Sequence, residues 1–493
     1  MTRPEQSRRS VVDRQVNLEH VLLNFSEHDP WTIRNSFEHV FAAGQTGSGK
    51  SSGSAKTLVK AMMKAGYGGL LCTAKPGDAE TYRQWAEDVG RGDSVVVFGF
   101  GQPWKFNPCD YELRVASTYG VSATKNLVDL LVDLSDTVGR KEGKGGGDDQ
   151  TYWSDQLRAL CTNGLDVMQA AGWRVSLPKL KEIVRSAPNQ RDQLADENWR
   201  VRSACYRCIV DGDRRRSSLS ETQQVDFEEA ARYWLDEWPN LAPRTRSVIQ
   251  STFSALADTI SRGELRNLFS DTTNIVPDVT HHGVLLILDM PTLKYGEIGQ
   301  AGQLIWKILW ERSVQRRNVD ERTIPCFLFI DECQLLLSES DQTFLTTARS
   351  SHSCALFLTQ TISNLYAVLG GESKKPIVDA LLANMNLKIF HANGDSVTNQ
   401  WATETLSKEW TQKMTTSEGK SSMPAMPLFI PQGENESTSM SESLENAVEA
   451  SEFHTLRTGG PPSCKVDALL FRAGKTWKHS GKTSLKVSFD QNI

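Results

Sequence analysis

The run Gly44-Gln45-Thr46-Gly47-Ser48-Gly49-Lys50-Ser51-Ser52 has the residue types and spacing to hold the phosphates of a nucleotide. Its glycines let backbone N–H groups converge on phosphate oxygens, and the helix predicted for the following AKTLVKAMMKAG adds its partial positive charge at the same point. Gly44, Thr46, Gly47, Ser48, Gly49, Lys50, Ser51 and Ser52 are therefore read as a cofactor-binding loop for ATP. Lys50 would bridge the terminal phosphates and Ser51 would ligate Mg²⁺. The alternative is a chance glycine-rich turn, which does not account for its position between a strand-like run and a helical one.

A nucleotide hydrolase also needs a carboxylate for the metal and a group that prepares the attacking water. Asp331-Glu332 closes the apolar run Cys326-Phe327-Leu328-Phe329-Ile330. The pair would thus emerge at the carboxyl end of a buried strand, where ligands of open α/β sheets bind. Asp331 is read as the Mg²⁺ partner and Glu332 as the catalytic, water-activating residue; the bland alternative is an acidic capping pair. Two further candidates each keep two readings. Arg349 could enter a neighbouring subunit's site as an arginine finger, or be a solvated surface group. Gln360, ending the run Ala355-Leu356-Phe357-Leu358-Thr359, could sense the γ-phosphate or be a buried structural amide.

Weaker signals carry less. Cys205-Tyr206-Arg207-Cys208 is a single CxxC with no partner pair, so packing explains it better than zinc. Arg214-Arg215-Arg216 fits a solvated face at least as well as a phosphate contact. Asp289 ends its own strand and reads as a cap or a neighbour of the site.

The elements that must position these residues follow from hydrophobic patterning. Residues 36 to 75 read as strand, helix, strand, and SVVVFGF at 94 to 100 as a further strand. From 115 to 270 the pattern is helical, interrupted by the glycine-rich GRKEGKGGGDD at 139 to 149, which reads as a mobile loop. Apolar runs without alternation return at 283 to 290, 325 to 331, 354 to 360 and 387 to 393, as expected for parallel strands covered on both faces. Residues 415 to 447 are rich in Ser, Glu and Asn and read as a loop. The predicted organisation is a polar leader over 1–30, a nucleotide-binding half over 31–114, a helical insertion over 115–270, a second half over 271–414, the flexible 415–447 segment, and a C-terminal segment over 448–493 packing on the motor.

A chain of 493 residues with 39% hydrophobic and 23% charged residues belongs to the soluble globular class and is long enough for several domains. The net charge of -5 excludes histone-like basicity, although residues 174 to 216 carry 11 Lys and Arg against 6 Asp and Glu. Nine scattered cysteines suggest no disulfide framework. The polar N-terminus and the shortness of the apolar runs predict no secretory signal and no integral membrane insertion, hence a cytoplasmic protein.

With these residues in place the chain resembles the FtsK/HerA superfamily of ring-forming ATPases, and within it the TraG/TraD-type coupling proteins of conjugative type IV secretion. The resemblance spans about residues 30 to 485. It rests on GQTGSGKSSGS at 44 to 54, FNPCD at 106 to 110, FLFIDECQLL at 327 to 336, Arg349, LFLTQTISNL at 356 to 365 and LANMNLKIFHANGD at 382 to 395. It implies an α/β fold: a RecA-like three-layer αβα motor with an all-α domain inserted. In the family a Gln in this T-Q-[ST] context senses nucleotide, and the Arg eleven residues before it is the intersubunit finger, which favours the functional readings of Gln360 and Arg349. Members are hexamers that pump DNA, or DNA with attached protein, through a central channel; no base-reading motif is visible in this sequence, so the DNA would be bound without sequence specificity. Two departures stand out. Family members usually carry an N-terminal membrane anchor, which the polar leader does not resemble, so membrane association would be peripheral and through partners. The position after the second core strand, often Asp in the family, is Ala74.

The expected function is an ATP-driven, hexameric DNA translocase using Mg²⁺, with a relaxase, secretion-channel, nuclease or adaptor protein as partner. Two rivals keep part of this picture. One is a soluble ATPase of an anti-phage or mobile-element system, and the other is a nucleotide-switched docking module that translocates nothing.

Overall fold

The computed structural model describes residues 15–119, 123–139, 148–261, 263–269, 272–338, 340–369, 375–406, 408–419 and 435–492. Thirteen strands are described: β1 Val21–Asn24, β2 Pro30–Thr32, β3 Val40–Ala43, β4 Gly68–Cys72, β5 Val95–Gly99, β6 Leu285–Asp289, β7 Cys326–Ile330, β8 Ser353–Thr359, β9 Leu387–Phe390, β10 Lys408–Gly419, β11 Asn435–Asn446, β12 Lys465–Arg472 and β13 Ser484–Asp490. Nine of them form one sheet in the order β13-β12-β9-β3-β8-β7-β4-β6-β5. From β9 to β5 all pairings are parallel, while β12 and β13 join antiparallel at the β9 edge.

The unbroken apolar runs follow from two cores, one on each face of this sheet. In β7, Cys326, Leu328 and Ile330 enter one core and Phe327 and Phe329 the other. In β3, Phe41 and Ala43 face the first core and Val40 and Ala42 the second. Each large apolar side chain buried in this way contributes about 1.5–3 kcal/mol. With no polar face to present, these strands can only lie in the middle of a layered α/β structure.

Between β5 and β6 every described regular element is helical, from Pro108–Tyr119 to Gly263–Leu268. The helices begin earlier than the patterning from 115 suggests. Asn107 explains this: its Oδ1 accepts from the backbone N–H groups of Cys109 at 3.1 Å and Asp110 at 3.3 Å, an N-cap that starts the helix at Pro108. Of the glycine-rich 139–149 stretch, residues 140–147 lie outside the described residues; Gly139 and Asp148 end and begin helices. Cys205 and Cys208 are both buried in the helical core, where burial raises their thiol pKa values.

Two further expectations need correction. The polar leader is not featureless up to residue 30: β1 and β2 pair, Trp31 and Ile33 are buried, and Val16, Leu18, Leu22 and Phe25 pack on the second core. Buried Asp29 accepts from the backbone N–H groups of Lys478 at 3.0 Å and His479 at 3.1 Å, tying this hairpin to the C-terminal segment. Short strands with scattered apolar residues give no usable period. The loop expected over 415–447 is also replaced in part: β10 and β11 run antiparallel from Lys408↔Asn446 to Gly419↔Asn435. Two polar strands can satisfy their backbones against each other without burying a face, so composition alone misleads here. Residues 420–434 lie outside the described residues. Among the described residues no helix is long and apolar enough to cross a membrane.

His39, immediately before β3, pins the amino end of the sheet. Its Nδ1 accepts from the Ala355 N–H at 3.0 Å, so its Nε2 carries the proton and donates to the Leu345 carbonyl, also at 3.0 Å. Burial pushes its pKa down to about 4, against about 6.5 in an unfolded chain. The unfolded state therefore binds the proton first, and the stability held above pH 6.5 is lost as pH falls towards 4. His391 is shifted the same way, to about 3, by burial and by the nearby Lys50 charge. By pH 5 each imidazole should cost about 2 kcal/mol. Thermal midpoints should fall between pH 7 and pH 5, and His39→Gln, though less stable at pH 7, should show a shallower fall. An unchanged slope in His39→Gln would count against this assignment.

Candidate nucleotide site

The phosphate loop leaves β3 and turns into a π-helical turn, Ser51–Ala55, that continues as the helix Lys56–Lys64. Two of its glycines have no room for a side chain. A Cβ on Gly44 would lie 2.6 Å from both His391 Cβ and Ser48 Oγ, and Gly49 combines a φ of +83° with Val466 only 2.4 Å from where a Cβ would stand. The loop is therefore held tightly against His391, just after β9, and Val466 of β12, with Gly47 and Thr46 exposed at its crest. Ser54 Oγ lies 2.7 Å from His391 Nε2, which fixes the start of the helix against the strand β9.

The chemistry of the loop fits a nucleotide. Lys50 is buried, and among the described residues its amine makes one weak hydrogen bond, at 3.4 Å to the Gln45 carbonyl. Burial lowers its pKa, opposed by the nearby Glu332 and Asp331 charges and aided by Lys75, and a terminal phosphate would add an anion to this buried ammonium. The buried Ser48 Oγ has no hydrogen-bond partner among the described residues. Ser51 Oγ donates to Asp331 Oδ2 at 2.7 Å, bringing together the two groups expected to hold a divalent ion. The Ser52 hydroxyl accepts from Gln491 Nε2 at 2.6 Å, which ties the loop to the C-terminal segment and leaves both its O–H and its backbone N–H as donors.

Asp331 and Glu332 follow β7, separated from β3 by β8 alone. Glu332 holds a left-handed backbone, φ +57° and ψ +55°, a conformation that is costly for a residue with a side chain and that collects at functional sites. Its carboxylate accepts from Gln334 Nε2 at 2.8 Å and from Gln360 Nε2 at 3.2 and 3.4 Å, and Lys75 Nζ stands 3.6 Å away. Burial alone would raise its pKa. The two amides and the Lys50 and Lys75 charges outweigh burial, so Glu332 lies below the usual carboxylate range and is ionised at neutral pH. Gln360 is itself placed by Asn393, which donates to its carbonyl at 3.0 Å, and Gln334 accepts from Thr359 Oγ1 at 3.0 Å.

The structure thus gathers Gly44, Ser48, Lys50, Ser51, Asp331, Glu332 and Gln360 at the carboxyl ends of β3, β7 and β8. It does not bring Arg349 to them. Arg349 is exposed in the turn before β8, close enough to Glu38 at the amino end of β3 to lower its pKa, although burial and Arg472 act on that carboxylate more strongly. The seven residues of β8 lie between it and Gln360, roughly 23 Å of strand. The helix Ser340–Thr347 that leads to Arg349 is anchored by an ion pair between Asp341 and Lys307, both fully buried. Lys75, Gln334, His391 and Asn393 join the site without having been singled out from sequence: each is an ordinary polar residue whose placement depends on strand order.

A phosphate loop after one strand, and carboxylates after another with a single strand between them, define a P-loop nucleotide-binding fold of the RecA-like three-layer kind. More particularly, part of the chain is similar to TraD and TraG. Residues 325–458 match the family model described as the TraM recognition site of TraD and TraG. The bacterial conjugative coupling protein TrwBdeltaN70, unbound, is 14% identical with a TM-score of 0.57 over 97% of this chain and 88% of its own. The plasmid coupling protein TrwB is similar in complex with the non-hydrolysable GTP analogue GDPNP, at 13% identity and TM-score 0.59 over 96% of this chain and 90% of its own. It is similar also in complex with ADP and Mg²⁺, at 14% and 0.55 over 94% and 87%. At such identities the likeness establishes the fold. No curated protein sequence matches the chain.

Proposed function

We propose that this protein is an ATP-hydrolysing ring motor that moves DNA, alone or with attached protein, in the manner of a coupling protein. The observation that carries the reading is the convergence of Lys50, Ser51, Asp331, Glu332 and Gln360 at one end of the sheet. Lys50 and the loop N–H groups neutralise the phosphates, and Ser51 and Asp331 hold Mg²⁺, which supplies charge stabilisation at the transferring phosphoryl group. Glu332, kept ionised, orients and polarises the attacking water, and Gln360 reports on the same carboxylate. TrwB forms a complex with ADP and Mg²⁺, which supports the cofactor assignment.

Arg349 supports the ring. It lies too far from its own loop to serve it and is exposed where a second copy could receive it. The family description of residues 325–458 supports a protein partner of the relaxosome kind docking on this half, and through such partners a place at the membrane. The same description favours, as a second reading, a docking module switched by nucleotide.

DNA separates the two. Phosphate contacts without base readout displace condensed counterions, giving a slope of log K against log salt of about -0.9 per phosphate neutralised on duplex. Several subunits on one DNA should sum to a slope of several units, measurable by anisotropy, and hydrolysis should rise with DNA of any sequence. A slope near zero together with an ATPase indifferent to DNA would leave the docking reading.

A further inference from the structure

We propose that Lys75 is a nucleotide-state switch: it neutralises Glu332 while the loop is empty and moves to the γ-phosphate when ATP binds, freeing the carboxylate for water. The inference rests on the reading of Glu332 as the water-activating group.

The backbone that carries Lys75 is fixed. After β4, Gln303 accepts from the Thr73 N–H and donates to the Thr73 carbonyl, both at 2.8 Å. Asp78 Oδ2 accepts from the Ala74 N–H at 2.9 Å and the Lys75 N–H at 2.7 Å, and the Leu293 N–H donates to the Ala74 carbonyl at 2.9 Å. The side chain that grows from this clamp is not fixed. It is 48% exposed, and it pairs with Glu332 at 3.6 Å, longer than either the Gln334 or the Gln360 contact to the same carboxylate. With its ammonium half in solvent and the contact this long, the lysine can exchange away from the buried carboxylate while the two amides stay.

The charges around it specify where it would go. Lys75 is near enough to Lys50 to oppose its charge, so two ammonium groups face one cleft with Asp331 and Glu332 as their anions. Added phosphates would draw both lysines. Lys50 is buried and pre-placed for any bound nucleotide, whereas Lys75 enters from the strand beside β7, on the side of Glu332, where the terminal phosphate and the attacking water must lie. Glu332 would then keep the Gln334 and Gln360 amides, which hold its orientation, and lose the cation that competes with water for its oxygens. Coupling the release of the base to the presence of the third phosphate would leave Lys75 on Glu332 when only ADP is bound.

The test uses the full-length protein with Lys75→Met and Lys75→Arg, both at an exposed position, with circular dichroism to check folding. Affinities for a non-hydrolysable ATP analogue and for ADP are measured by fluorescent-nucleotide displacement, and kcat is followed from pH 5 to 9. Lys75→Met should lose about tenfold in affinity for the ATP analogue with ADP unchanged, and Lys75→Arg should restore the preference. The acid limb of kcat should stay where it is, because the lysine has already left Glu332 in the reacting state. An intact ATP preference in Lys75→Met would overturn the proposal: with the acid limb moved upward, Lys75 is a permanent partner of the carboxylate, and with the limb unmoved it is a surface residue. The binding ratio needs no turnover, so it stands apart from the failure of the Glu332 reading, which near-normal hydrolysis by Glu332→Gln would reveal.

Discussion

Glu332→Gln should bind ATP as tightly as the wild type and hydrolyse it about 10²- to 10⁴-fold more slowly, the range expected when a positioned general base is lost. The substitution keeps the side chain's length and removes only its charge. Glu332 is one of two carboxylates that support the Lys50 charge, but Asp331 stays beside it in the variant and bound phosphate oxygens would supply the rest. Lys50→Ala should behave oppositely and lose nucleotide binding, because the one buried ammonium aimed at the loop disappears. Titration with fluorescent ATP and steady-state phosphate release separate the two phenotypes. Near wild-type turnover by Glu332→Gln would remove Glu332 from the chemistry and leave its left-handed backbone and amide partners as a structural device.

The contrast between these two residues also shows what a sequence can reveal. Lys50 sits in a contiguous nine-residue loop whose function is local, so types and spacing suffice. Asp331 and Glu332 need one further inference, that a fully apolar run ends at the carboxyl edge of a sheet, and the two-core burial of β7 meets it. Gln360 too was legible as the end of an apolar run, and Gln334 lies only two residues from Glu332. That Gln360 and Lys75 converge on Glu332 was not legible, because it follows from β7 lying between β8 and β4, an order that no periodicity encodes. Val466 and His391 wedge the phosphate loop from strands more than 300 residues later in the chain. The N-terminal hairpin and the β10–β11 ribbon were missed for a different reason: short or wholly polar strands are held by backbone pairing and single buried anchors such as Trp31, and leave no hydrophobic period to read.

Arg349→Ala protein should be nearly inactive alone, as should Lys50→Ala protein, yet a mixture of the two should recover part of the activity. Under the proposed ring, each variant lacks one half of a composite site. Arg349 is separated from its own Gln360 by the length of β8, roughly 23 Å, while an arginine side chain reaches only about a third of that, so within one chain it cannot touch a phosphate held by Lys50. It can do so only from a second copy whose β8 amino end faces the first copy's loop. A junction that pairs an intact Lys50 with an intact Arg349 then forms in the mixture and in neither parent. Loss of an arginine finger costs about 10³- to 10⁵-fold in rate, so even a modest fraction of such junctions would stand well above the parental background. Wild-type hydrolysis should correspondingly fall on dilution below the assembly concentration. The helix before Arg349 keeps its buried Lys307–Asp341 anchor in the variant, so folding should be preserved and sedimentation should show unchanged assembly. Mixed assemblies verified by sedimentation but without recovered activity would mean that the exposed arginine serves no neighbouring site, and the proposed finger would fall.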